Sequence, residues 1–130
     1  MSWKDYIEMK EPEGPGFVMY RGYTKEEALA SVGKGWSCLI EQLFKAIGED
    51  GFLGVDIKVV QVKEKFGTLR IYTTGATDYA DGYIHGLEFL SSLLCERCGD
   101  VGTLRGSESN RYWVLTLCDE CNKLPHPMRA

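Results

Sequence analysis

Four cysteines constrain this chain more than any other feature. Cys95 and Cys98 form one C-x2-C pair in L-C-E-R-C-G-D, and Cys118 and Cys121 form a second in T-L-C-D-E-C-N, with nineteen residues between the pairs. Two residues between thiolates let one tight turn aim both sulfurs at a single point, and two such turns at this separation match the spacing of tetrahedral zinc sites. Five cysteines in 130 residues also raise a disulfide framework. The odd count argues against it, as does the start M-S-W-K-D-Y-I-E-M-K, which lacks the apolar stretch of a secretion signal. The expectation is one structural Zn2+ on Cys95, Cys98, Cys118 and Cys121. Four protein ligands fill a tetrahedral ion, leaving no position for an activated water.

Gly99 lets the backbone turn sharply after the second thiolate. The segment V-G-T-L-R-G-S-E-S-N-R-Y-W-V-L-T-L reads as strands over 103–105 and 111–117 around a turn-rich 106–110. A helical turn over 119–123 should follow, stopped by Pro125 and Pro127. Knuckle, hairpin and helical turn is the order of a treble-clef finger, with a zinc ribbon as the alternative. Nuclease versions of the treble clef carry histidines on hairpin and helix. Here the only histidines are His85 and His126, both outside those elements.

Residues 1–94 should form an α+β core, packed with the 95–130 zinc module as one domain. A chain this long can bury a single core. Ser2 caps a helix over 3–9 that E-P-E-G-P-G breaks, and 17–20 reads as a short strand. Thr24 and Glu27 form a capping box for a helix reaching about 32, with Gly33 and Gly35 closing it. Trp36, Leu39, Ile40, Leu43, Phe44 and Ile47 mark one face of a helix over 36–47. A small antiparallel sheet, the hairpin near 57–74, turns at Gly67 in the left-handed conformation. Ala80, Tyr83, Ile84, Leu87, Leu90 and Leu94 mark a helix over 78–94, with Phe89 off that stripe. Cys38 reads as a small packed side chain.

Fifteen basic and nineteen acidic residues leave a formal charge of −4, which attracts neither nucleic acid nor an anionic membrane in general. From residue 95 onward, five basic and five acidic residues cancel, and four thiolates with one zinc ion leave about −2, which opposes phosphate binding. Residues 52–76 differ, with four basic and two acidic side chains. Lys63, Lys65, Phe66 and Arg70 are therefore the candidate partner-binding residues, for an acidic protein or a phosphate backbone. A solvated edge whose lysines discourage strand pairing is the plainer reading. His85, beside Asp81 and Glu88, resembles half of an acid–base site, but neither a nucleophile nor a phosphate loop joins it.

The segments G-K-G-W-S-C-L-I, V-K-E-K-F-G-T-L-R-I-Y, C-E-R-C-G and T-L-C-D-E-C together resemble a group of small, largely uncharacterised bacterial and phage proteins. These share a G-W segment, a hairpin signature and a terminal zinc finger, and the likeness spans about residues 33–121. Some members end the finger in C-x2-H where this chain has Cys121. The resemblance implies relatives among bacterial and phage proteins without implying a job, and a phage-encoded module acting on a host protein is one form of the binding reading. The sequence as a whole reads as a non-enzymatic, zinc-stabilised protein-binding module in the cytoplasm, since no apolar run reaches the roughly 20 residues of a membrane span. The alternative is a nucleic-acid-associated regulator using the basic hairpin 58–70. An enzyme built on His85 and its carboxylates is more distant.

Overall fold

The computed structural model describes residues 21–106 and 114–124. The expected helix over 3–9, the strand over 17–20, residues 111–113 and the tail with Pro125, His126 and Pro127 lie outside them. The capping box is present at the start of α1 (Lys25–Ala30). Thr24 Oγ1 accepts the Glu27 N–H at 3.1 Å, and Glu27 Oε1 accepts the Thr24 N–H at 2.9 Å. Arg21 grips the same carboxylate with two bonds of 2.6 and 2.9 Å. That contact, with the Thr24 amide, holds the Glu27 carboxyl down at about 2.

Where one helix over 36–47 was expected, a 3-10 turn (Lys34–Trp36) leads into α2 (Ser37–Ala46). Leu39, Ile40, Leu43 and Ala46 are buried on α2, while Phe44 and Ile47 sit at the margin of the core. Cys38 is exposed, which corrects the packed reading. It lies in the first turn of the helix, on the side away from the buried Leu39, Ile40 and Leu43.

Strands β1 (Lys58–Lys65) and β2 (Thr68–Thr74) pair antiparallel, in register from Gln61↔Tyr72 to Lys65↔Thr68. Phe66 and Gly67 join them with φ of 52° and 80°, both positive as a two-residue type I′ turn requires. Gly67 thus takes the left-handed position read from the sequence, and Phe66 shares it. Val62, Leu69 and Ile71 point into the core, and a bulge between Val59 and Gln61 breaks the alternation so that Val59 and Val60 are both buried.

Helix α3 (Asp78–Ser91) is capped by Thr77 and lies across β2. Its inward stripe is Ala80, Ile84, Leu87 and Ser91; Leu90 is 44% exposed, against the expectation. Ser91 takes the inward position because the sheet edge needs it. Ser91 Oγ accepts the Leu69 N–H at 2.9 Å, and one turn earlier Glu88 Oε2 accepts the Ile71 N–H at 2.8 Å. Two amides on the outer edge of β2 are satisfied by a helix rather than a third strand. The helix ends at Ser91, not 94, and Phe89 is 65% exposed.

Trp36, Ile40, Leu43, Val62 and Leu69 form the centre of the core, each less than 2% exposed. Burying a side chain of this kind stabilises the fold by about 1.5–3 kcal/mol. A second hairpin, β3 (Thr103–Gly106) with β4 (Val114–Leu117), and a helical turn, α4 (Asp119–Asn122), follow. The architecture is α+β, with two small antiparallel sheets, helices against the first, and the cysteines gathered around the second.

Candidate metal centre

Each cysteine pair is positioned by a backbone turn. In the first, the Gly99 N–H returns to Cys95 O at 2.8 Å, with Gly99 at φ 85°, and the Cys95 N–H reaches Asp100 O at 2.6 Å. In the second, Cys118 is the N-cap of α4, and its Sγ accepts the Cys121 N–H at 3.4 Å. A sulfur at an N-cap faces the open amides of the helix, so the capping atom is also one of the four candidate metal-facing atoms. Arg105 braces this turn from β3, with Nε on Leu117 O at 3.0 Å and a terminal nitrogen on Asp119 Oδ1 at 2.6 Å. The guanidinium holds the Asp119 carboxyl below its usual range.

All four sulfurs lie within 4.8 Å of one another, and Cys98 Sγ and Cys118 Sγ are 3.6 Å apart. A tetrahedral ion with metal–sulfur bonds of about 2.3 Å needs sulfurs separated by about 3.8 Å, so a small contraction brings the set onto one ion. Cys95 is fully buried, Cys98 is exposed, and Cys118 and Cys121 lie between. Among the described residues no other group of three or more His, Cys, Asp or Glu is gathered this way.

The electrostatics of the bare cluster call for a cation. Burial pushes the Cys95 thiol up, but the amides of Cys118, Cys98 and Arg97 outweigh it and lower the thiol to about 6. The Cys118 sulfur, then burial and the other two sulfurs, push Cys121 up to about 12. For Cys98 the Asp100 amide pulls down, while burial and the sulfurs of Cys118 and Cys95 raise it overall. Once one thiol has ionised, its neighbours resist. A divalent ion removes that resistance.

The sequence reading missed the socket that receives the first knuckle. The Gly35 N–H donates to Glu96 O at 2.9 Å, and Trp36 Nε1 donates to Leu94 O at 3.0 Å. A Cβ on Gly35 would overlap Cys95 O, so the glycine permits close approach and is more than a helix stop. Two glycines around one residue directly before a tryptophan exceed what a stop needs, and that surplus was the available signal. From the far side, Thr116 Oγ1 donates to Gly67 O at 2.6 Å, tying β4 to the turn of the first hairpin.

Lys63, Lys65 and Arg70 share the solvent face of the β1–β2 hairpin, and Phe66 stands at its tip. None of them is among the four residues whose sulfurs gather. His85 is exposed on α3, and of its neighbours Glu88 is committed to the Ile71 amide. No described helix is long and apolar enough to cross a membrane. No family model, curated protein or solved structure matches this chain.

Proposed function

We propose that this chain is a non-enzymatic binding module whose terminal treble-clef finger is closed by one structural Zn2+ on Cys95, Cys98, Cys118 and Cys121. The observation that carries this reading is the meeting of four sulfurs from two separate turns within 4.8 Å. Thiolates in a tetrahedral set favour zinc over hard cations, which take oxygen ligands. The second ligand pair lies at the start of a helical turn, which supports the treble clef over the ribbon. A bound ion supplies charge neutralisation and a cross-link between the two turns.

With four protein ligands the ion has no open position for a reacting water, so the work of the molecule falls to its surface. The Gly35 and Trp36 contacts connect the first knuckle to the centre of the core, so the finger also sets the shape of that surface. X-ray absorption on the purified chain, with elemental analysis, is expected to give one zinc per chain in a sulfur-only shell near about 2.3 Å. A nitrogen or oxygen in that shell, or a stoichiometry well below one, would overturn the assignment.

A further inference from the structure

We propose that the solvent face of the β1–β2 hairpin binds single-stranded nucleic acid, with phosphates on Lys63, Lys65 and Arg70 and bases stacked on Tyr72 and Phe66. This names the partner of the binding module and rests on that reading only in taking the surface as the working part. The register sets Gln61 opposite Tyr72, Lys63 opposite Arg70 and Lys65 opposite Thr68, three rungs on one face. Successive rungs are two residues apart, about 6.8 Å, so cations and rings are set out along a strip about 14 Å long.

Among the described residues of the two paired strands, no carboxylate lies on that strip. Glu64, the one acidic residue of the paired strands, belongs to the opposite face, where its Oε2 accepts the Gly67 N–H at 2.7 Å. Among the described residues no ion pair holds Lys63, Lys65 or Arg70. Lys63 and Arg70 are direct cross-strand partners, and like charges so placed repel. An anion laid across them relieves the repulsion. The chain's formal charge of −4 therefore does not describe this face, and charge complementarity there calls for an anionic partner.

The rings select which anion. Phe66 is 45% exposed and Tyr72 37%, one at the tip and one on the third rung from it. Phe66 occupies a left-handed position that glycine or asparagine takes with less strain. The bonds from Thr116 and Glu64 to Gly67 pin the turn, so the ring is presented outward. Lys65 Nζ lies 5.8 Å from its centre. An acidic peptide satisfies the cations and makes no use of the exposed ring surface, whereas a single strand offers phosphates and base faces together. Edge protection accounts less well for Arg70, since Ser91 and Glu88 already occupy the Leu69 and Ile71 amides on its strand.

The test is fluorescence anisotropy of the zinc-loaded chain with labelled oligo-dT and oligo-U, a duplex of equal length, and a poly-glutamate peptide. Salt is varied from about 50 to 200 mM. Single strands should bind best, with log K falling against log salt at a slope of about −2, from about 0.7 per phosphate and three cations. Lys63→Gln with Arg70→Gln should flatten the slope to about −0.7. Phe66→Gly, which suits the turn, should keep or raise the thermal midpoint while weakening single-strand binding at least about fivefold. Preference for poly-glutamate, equal binding of duplex, an unaffected Phe66→Gly variant, or no binding by the folded chain would each overturn the proposal. Zinc content on the same sample separates the two readings. Binding without stoichiometric zinc would refute the finger alone, and full zinc without binding would refute the face alone.

Discussion

Gly35 and Gly82 show how one residue type takes opposite roles. A Cβ at Gly35 meets Cys95 O and the Glu96 backbone, whereas a Cβ at Gly82, within α3, meets nothing within 4 Å. Gly35→Ala should cost about 1–3 kcal/mol through the forced backbone shift, and Gly82→Ala should add about 0.5–1 kcal/mol through helix propensity. Urea midpoints on the zinc-loaded chain check the pair, and equal effects would remove the socket from the account. Glu27 carries a pH signature. Its folded carboxyl is depressed from 4.5 to about 2, so its contribution is present above pH 4.5 and fades as pH falls towards 2. Arg21→Gln should therefore lie below the parent in thermal midpoint above pH 4.5, with the gap closing on acidification. A constant gap would mean that the Arg21 contact is not what holds the carboxyl down.

At the scale of elements, the sequence was legible wherever a local pattern carried the physics. The box at Thr24 and Glu27, the apolar face of α2, the hairpin around Gly67 and both cysteine turns all follow from spacing within a few residues. What stayed hidden depends on partners far along the chain. Ser91 displaces Leu90 from the inward stripe because β2 amides from another element need an acceptor. Arg105 looks like one more surface cation until β3 brings it to Leu117 O and Asp119. The cysteine turns also predict a proton count. Cys98 and Cys121 are raised above 9, the ordinary thiol value, and so hold their protons at neutral pH in the bare cluster. Zinc binding should release at least these two protons, read by calorimetry as an enthalpy that varies with the ionisation heat of the buffer. No dependence on buffer would contradict the protonated bare cluster.

Across the whole molecule, the cysteine turns and the core are joined at Gly35, at Thr116 and, most deeply, at the Trp36 indole. Structural zinc in small fingers is worth about 10–16 kcal/mol, as much as the roughly 5–15 kcal/mol that holds an entire domain. Chelation should therefore reach Trp36, which is 0% exposed and bonded to Leu94 O. With Trp3 and Trp113 replaced by Phe, its emission should shift to the red on metal removal and return when zinc is restored. Loss of metal without any shift would uncouple finger from core. The same bond carries a message about time. Trp36 and its acceptor are 58 residues apart, so at synthesis rates of about 5–20 residues per second the indole is joined to the chain about 3–12 s before Leu94. The largest fully buried side chain is thus an early arrival awaiting a late partner, and the core around it is expected to close only after the first cysteine turn has been made.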